Sequence, residues 1–182
     1  MRPTVFLQSF YDRLGRPDLT NFRLSELDDR VTYRFGAFVL ADYNGHVVLI
    51  RRTPIKEYPG IENYWWIPGG AQEPDETLDE TATREFREET GLTCSVQRTL
   101  LAQLAGDRPF IAVFFRGIVI NGDVSSDSDP DNITAEARLF PAESVPFDKL
   151  WTDCDKILLI QERFTIGPID DLIEKNGLTR NA

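Results

Sequence analysis

The chain is poor in the residues that form cross-links or bind soft metals. Among its 182 residues there are two cysteines, Cys94 and Cys154, and one histidine, His46. Two cysteines imply no disulfide framework, and with one histidine they cannot supply the thiolate and imidazole ligands of a usual zinc site. Any metal ion must therefore bind to oxygen ligands, which suits Mg²⁺, Ca²⁺ or Mn²⁺.

Long apolar stretches and basic patches are missing as well. No run approaches the roughly 20 apolar residues that span a bilayer, and residues 1–8 show no signal-peptide pattern. We therefore expect a cytoplasmic protein without a membrane partner. The net charge of −10, from 20 basic and 30 acidic residues, disfavours binding to nucleic acid. It is compatible with a small anionic substrate whose charge is masked by a divalent cation.

Length and composition are those of one globular domain. Hydrophobic residues make up 41% and charged residues 27% of the chain, and a chain of this length buries a core without cross-links. We divide the domain into an N-terminal extension over residues 1–30, a core over residues 31–164 and a C-terminal tail over residues 165–182.

The core is predicted to contain both strands and helices. Residues 33–40 and 46–52 are apolar segments that flank an Asn-Gly turn, which predicts a hairpin. A last helix is predicted to begin after Thr152 and to run to about Phe164. Residues 122–132, rich in Asp, Ser and Gly, predict a solvated loop. Further strands are predicted over residues 94–104, 110–120 and 133–140.

A helix over residues 77–90 has the clearest boundaries in the sequence. Thr77 and Glu80 form a capping box at its start, and Gly91 provides a stop at its end. At roughly 100° per residue, one side of this helix is apolar and the opposite side is polar. The apolar side consists of Leu78, Ala82 and Phe86, and the polar side of Asp79, Glu80, Thr83 and Arg87.

Three glutamates of this helix lie on the side that faces the protein. Glu85 and Glu89 fall within roughly 20° of the direction of Leu78, and Glu88 lies beside them. Without partners, these carboxylates would repel one another and lose hydration. A solvated charged face is one possible fate of these glutamates, but the helical wheel places them on the inward side of the helix. Pairing with Arg84 is one explanation, but one arginine cannot neutralise three carboxylates, and a divalent cation is another explanation.

The spacing of residues around this helix resembles the Nudix box. That pattern is Gly, five residues, Glu, seven residues, Arg-Glu, an apolar residue, any residue, Glu-Glu, any residue, Gly and an apolar residue. Every specified position is filled without a gap, from Gly70 and Glu76 to residues 84–92. The resemblance includes the lead-in at residues 66–70 and covers roughly residues 34–146.

The resemblance implies an α/β/α sandwich with a mixed β-sheet between helices. It also implies metal-dependent hydrolysis of a nucleoside diphosphate linked to another group, with Mg²⁺ as cofactor and Mn²⁺ as the alternative. ADP-ribose or a nucleotide sugar is the favoured substrate, ahead of nucleoside triphosphates and dinucleoside polyphosphates. Because members of the family are often dimers, a homodimer is expected, and residues 1–30 are a candidate for its interface.

The resemblance also assigns roles to the residues of the box. Glu85, Glu88, Glu89 and the carbonyl group of Gly70 are the expected metal ligands. The planar guanidinium of Arg84 is expected to hold the glutamates in place. Glu76 is expected to orient the loop or to help bind the metal.

Three residues outside the box are candidates with an ordinary alternative. Glu136 resembles a distal acidic residue near the metals, so Glu136 and Glu89 are both candidates for the general base; the alternative for Glu136 is a surface glutamate on an edge strand. Arg52 matches a position at which relatives use an arginine to bind phosphate; the alternative is an arginine at the end of a strand, in solvent. Trp66 is a ring that stacks on a base or packs in the core.

Other functions that use the same pattern are less consistent with the residues. A nucleotide-sensing module without catalysis is the main alternative, but such modules usually lose box glutamates, and all of them are present here. An isopentenyl diphosphate isomerase would need a catalytic cysteine and several metal-binding histidines, and His46 stands alone. RNA decapping is disfavoured by the acidic charge.

Overall fold

The computed structural model describes residues 1–56, 58–105, 108–162 and 169–180, and the nine strands within these residues form one sheet. The strands are β1 (Leu19–Thr20), β2 (Arg34–Tyr43), β3 (His46–Arg52), β4 (Trp65–Trp66), β5 (Gly69–Ala71), β6 (Leu92–Leu104), β7 (Phe110–Gly122), β8 (Thr134–Pro141) and β9 (Thr179–Arg180). The helices are α1 (Pro3–Leu14), α2 (Leu78–Thr90), α3 (Asp153–Gln161) and α4 (Ile169–Lys175).

The sheet is mixed. Its order is β4-β3-β2-β7-β6-β1-β9, with β5 paired to β2 and β8 paired to β3. Strand β2 runs parallel to β7, and β1 runs parallel to β6. The pairs β6–β7 and β3–β8 are antiparallel. The central strand β7 begins with an apolar run over residues 110–115, and Ile111, Val113 and Phe115 of this run are fully buried.

Helices cover both faces of this sheet. On one face α1 and α2 contribute Leu7, Phe10 and Phe86 to a hydrophobic core. On the other face α3 and α4 contribute Ile157 and Ile173 to a second core. The expected α/β/α sandwich is therefore confirmed. Within the described ranges, none of the helices has the length and apolar character needed to cross a membrane.

The predicted hairpin and the predicted central helix are both present. Asn44 and Gly45 have positive φ angles of 54° and 79°, as a tight turn between β2 and β3 requires. Helix α2 starts after Thr77, whose amide and hydroxyl donate to the Glu80 carboxylate at 2.8 and 2.6 Å. It ends before Gly91, which has a φ angle of 72°.

Both ends of the chain contain more regular structure than the sequence predicts. The N-terminal extension holds α1 and β1, to which the prediction assigns no element, and the C-terminal tail holds α4 and β9. Because β1 pairs with β6 and β9 pairs with β1, both ends extend the sheet. The predicted last helix ends at Gln161, and its predicted end at Phe164 lies outside the described residues.

The sheet opens where β2 and β3 separate. Next to their turn, Asp42 pairs with Val47 and Tyr43 pairs with His46. Farther along, β3 pairs with β8 and β4. Strand β5 takes the vacated edge of β2, where residues 69–71 pair with residues 36–38. This opening brings β5, the end of β3 and helix α2 together.

Candidate active site

Helix α2 lies against the sheet on the side that the wheel predicts. Leu78, Ala82 and Phe86 are fully buried, and the side chain of Glu89 on the same side is only 2% exposed. Glu85 and Glu88 lie at the boundary of this buried side, with side chains 16% and 24% exposed. The box glutamates are therefore enclosed by protein and are not a solvated face.

One arginine, Arg84, joins three of the carboxylates. Its guanidinium donates to both oxygens of Glu76, at 2.6 and 3.0 Å, and to Glu85 and Glu88 at 3.0 Å each. It also donates to the carbonyl oxygen of Ala71 at 3.2 Å. Helix α2, the loop before it and strand β5 therefore meet at one guanidinium, which is 20% exposed.

Arginine and burial shift the pKa values of these carboxyl groups in opposite directions. The hydrogen bonds from Arg84 lower the pKa of Glu76 to about 2, against a smaller effect of burial. Burial raises the pKa of Glu85 above its usual range, against the lowering effect of Arg84. Three carboxylates share one guanidinium, so the cluster keeps an excess of negative charge.

Glu89 has a separate set of partners. Its Oε2 accepts from the amide of Gly69 at 2.7 Å. Its Oε1 lies 3.1 Å from Nη2 of Arg52 but accepts no hydrogen bond from any described residue. Burial raises the pKa of Glu89 to about 8, and Arg52 acts against this rise. Arg52 is 12% exposed and donates to the carbonyl of Gly69 at 3.2 Å, so it is not an arginine in solvent.

Two glycines allow strand β5 to lie close to strand β2 and to the side chain of Glu85. Gly69 has a φ angle of 149°, and a Cβ atom on it would lie 2.5 Å from Cα of Phe38. A Cβ atom on Gly70 would lie 2.5 to 2.6 Å from the carboxylate atoms of Glu85. Any side chain at these positions would displace either β2 or Glu85, so the backbone itself forms one wall of the site.

The residues assigned to a metal are neighbours, but their oxygens do not form a closed ligand set. Glu85 and Glu88 bind Arg84, while Glu89 binds Gly69 and Arg52. In the part of the chain that the structure describes, no three Asp, Glu, His or Cys side chains converge on one metal position. The donors are nevertheless all hard oxygens, and the buried Oε1 of Glu89 is an acceptor that a cation would satisfy. The donor set therefore fits Mg²⁺.

Glu136 has partners that differ from those of the box glutamates. It is opposite Arg51 in the β3–β8 pairing. Its carboxylate accepts from Arg51 at 2.6 Å and also pairs with Arg138. The side chain is 23% exposed. Among the described residues, Glu136 is therefore held by two arginines, and its role as a base stays a prediction.

Asp129, a residue that no sequence pattern singles out, lies in the segment predicted to be a solvated loop. Its side chain is buried, and Oδ2 accepts from the amides of Ile133 and Thr134 at 3.1 and 2.7 Å. Its negative charge contributes to the raised pKa of Glu89. An Asp that precedes a turn often accepts from amides farther along, but such a pattern does not indicate which helix the loop will face.

A cavity of about 270 Å³ lies next to Trp66. The Trp66 ring lies 5.6 Å from Cζ of Arg52, and its indole nitrogen is buried without a hydrogen-bond partner among the described residues. The rings of Phe38 and Phe114, stacked at 4.8 Å, form another part of the wall. Polar groups of the wall come from Gln103, Asp153 and Asn176.

Replacing Arg84 should destabilise the protein. We expect Arg84→Gln to lower the free energy of unfolding by about 3 kcal/mol, because three partly buried carboxylates would lose their common partner. Urea denaturation in EDTA measures this change. The control is Arg87→Gln on the exposed side of the same helix, which should change stability by less than about 0.5 kcal/mol. Equal effects of the two substitutions would contradict the role given to Arg84.

Replacing Glu89 should change how stability depends on pH. Between the pKa of an unfolded glutamate, 4.5, and its raised folded pKa of about 8, the unfolded chain loses a proton that the folded chain retains. The metal-free protein should therefore lose stability as the pH rises through this window. Relative to wild type, Glu89→Gln should raise the Tm at pH 8 by ~3 °C or more and should match it near pH 5.

Thermal unfolding in EDTA across this pH range measures the difference between the two proteins. Glu143→Gln, an exposed substitution with the same change of charge, is the control and should follow the wild type. A gain in Tm for Glu89→Gln that is the same at every pH would show that burial of the charge is not its cause.

Known proteins share both the sequence pattern and the fold. Putative nudix hydrolase 1 of Caenorhabditis elegans is 27% identical over 174 residues, which are 93% of this chain and 46% of that protein. An ADP-ribose pyrophosphatase of Methanocaldococcus jannaschii is 31% identical over 132 residues, 70% of this chain and 72% of that protein. The chain thus spans about half the length of the first relative and most of the second.

A NUDIX hydrolase from Nitrosomonas europaea has a similar fold. Its crystal structure superimposes with a TM-score of 0.63 at 21% identity, over 73% of this chain and 71% of that one. The family model for the NUDIX domain matches residues 32–162, which include the whole box and most of the chain. With this match and the fold in agreement, the chain belongs to the Nudix family.

Proposed function

We propose that this chain is a divalent-metal-dependent hydrolase that cleaves the diphosphate linkage of a nucleoside diphosphate joined to a second group. The observation that carries the proposal is the enclosed set of Glu85, Glu88 and Glu89 against Gly69 and Gly70. Partly buried carboxylates that outnumber their arginines lower the stability of a protein, so a purely structural role does not explain them. A hydrolase of diphosphates needs such a set to hold a cation.

The cation would be held by Glu85, Glu88, Glu89 and the carbonyl of Gly70. Mg²⁺ is the expected ion, because every donor is a hard oxygen, and Mn²⁺ is the alternative. When bound, the ion neutralises the charge of the diphosphate and lowers the pKa of the attacking water.

The arginines of the site have different tasks in this proposal. Arg84 orients Glu85 and Glu88 through its contacts of 3.0 Å. Arg52 lies between Glu89 and the ring of Trp66, where its guanidinium can bind an oxygen of the diphosphate. Glu89 and Glu136 are the two candidates for the general base.

The cavity beside Trp66 supports a nucleoside as one half of the substrate. Its volume of about 270 Å³ is close to the lower end of the ~300–1,000 Å³ typical of small-molecule pockets, which suits one ring system. Aromatic walls offer apolar contact, and the polar groups of the wall offer hydrogen bonds. ADP-ribose or a nucleotide sugar is the favoured substrate, and the archaeal relative named as an ADP-ribose pyrophosphatase supports this class.

A nucleotide sensor that binds without cleavage is the second candidate. It would use the same cavity and Arg52 but would not need the complete carboxylate set. The presence of every box glutamate favours the hydrolase. The homodimer expected for the family stays a prediction.

A product screen tests the hydrolase directly. We expect Mg²⁺-dependent cleavage of ADP-ribose or a nucleotide sugar, and no cleavage in EDTA, with products identified by mass. Loss of a ligand charge in Glu85→Gln should reduce kcat on the order of 100-fold or more, because the cation supplies several kcal/mol of transition-state stabilisation. Glu73→Gln, an exposed change of the same kind in the preceding loop, should leave kcat unchanged.

Binding of ADP-ribose in a thermal-shift assay, without cleavage of any compound in the screen, would support the sensor instead. Unchanged turnover in Glu85→Gln would remove Glu85 from the metal site.

The cavity beside Trp66 leads to a separate prediction about substrate binding. Trp66→Ala should raise the KM of the cleaved nucleotide about 10-fold and leave kcat nearly unchanged, since it removes an aromatic part of the cavity wall that stacks on Trp151 at 5.3 Å. Trp66→Phe keeps a ring and should retain most of the affinity. Steady-state kinetics of both variants measure this split. A fall in kcat without a change in KM would place Trp66 outside the nucleoside pocket.

A further inference from the structure

A second hollow lies at the other edge of the sheet. It is formed by α1, residues 15–26 and β9, and its volume is about 630 Å³. All the residues that line it lie outside residues 32–162, which the family model matches. None of these residues is a member or a hydrogen-bond partner of the carboxylate cluster. The hollow is therefore separate from the carboxylate cluster.

The charge around this hollow is opposite to that of the chain as a whole. Three arginines, Arg16, Arg23 and Arg180, line it together with one carboxylate, that of Glu26. The whole chain has 20 basic and 30 acidic residues. Within the described ranges, Arg16 and Arg23 form no salt bridge, and Arg180 is 3.6 Å from the highly exposed Asp170. The hollow thus has uncompensated positive charge that an anion would neutralise.

A buried hydroxyl group also lacks a partner at this place. Tyr11 lines the hollow, the residue is 5% exposed, and its hydroxyl has no hydrogen-bond partner among the described residues. Cζ of Arg16 lies 5.7 Å from the centroid of the Tyr11 ring. A buried hydroxyl without a hydrogen bond is unfavourable, and an acceptor oxygen on a ligand would relieve this cost.

We propose that the hollow binds the phosphate group of a small phosphorylated molecule, at a site distinct from the proposed hydrolytic centre. Guanidinium groups donate to phosphate oxygens in planar pairs, so Arg16 and Arg23 provide the charged contacts. Tyr11 provides a neutral donor. The volume of about 630 Å³ lies within the ~300–1,000 Å³ range of small-molecule pockets, so a molecule of nucleotide size fits.

Calorimetric titration with inorganic pyrophosphate in EDTA tests this proposal. Without metal ions the carboxylate cluster repels the probe, and variants of the residues that line the hollow assign the uptake to it. We expect one pyrophosphate per chain, with affinity that falls as the salt concentration rises. The double variant Arg16→Gln, Arg23→Gln should bind at least about 10-fold more weakly, because it loses two charge-assisted contacts.

The control is Arg34→Gln, Arg87→Gln, which makes the same change of net charge at two exposed arginines outside the hollow. It should retain the affinity of the wild type, and so should Glu85→Gln, which separates this proposal from the hydrolase. Tyr11→Phe should weaken binding several-fold, and it tests the site even if the double arginine variant fails to fold. No uptake by the wild type, equal losses in both double variants, or full affinity in Tyr11→Phe would overturn the proposal.

Discussion

The ion pairs of Arg84 determine how closely the acidic groups of this protein can approach one another. Glu76 comes from the loop before α2, Glu85 and Glu88 come from the helix, and the Ala71 carbonyl comes from β5. All four accept from one guanidinium, which therefore links the helix to β5 in addition to the bond from the Gly69 amide to Glu89. Because one positive charge faces three negative ones, the arrangement holds the carboxylates in place without neutralising them. The remaining charge is what makes the cluster suited to a cation.

The topology of the sheet is the second feature that positions the residues of the site. Strand β3 leaves β2 after a short pairing and continues along β8 and β4, and β5 takes its place on β2. Strand β2 thereby pairs with β5, which touches the carboxylate cluster, and also contributes Phe38 to the wall of the aromatic cavity.

The sequence predicts the parts of this site that depend on local spacing. Helix α2, its cap at Thr77 and its stop at Gly91 follow from periodicity and capping residues, and so does the enclosure of Glu89. Helix α1 is missed although Pro3 at its start and the spacing of Leu7, Phe10 and Tyr11 are helical signals. The family pattern does not extend to that segment.

Other features depend on distant parts of the chain and could not be predicted. The partners of Glu136 follow from the register between β3 and β8, and the position of Asp129 follows from the path of a long loop. Both require the assembled sheet.

The hydrogen bonds of Gly69 connect the charged and apolar halves of the site. Its amide donates to Glu89 at 2.7 Å, and its carbonyl accepts at 3.2 Å from Arg52, whose guanidinium lies 5.6 Å from the ring of Trp66. Gly69 is thus bonded both to Glu89 of the carboxylate cluster and to Arg52, which lies beside Trp66 of the cavity wall. Were the occupants of the two halves coupled through this glycine, each would alter the affinity for the other by the same factor, whichever binds first.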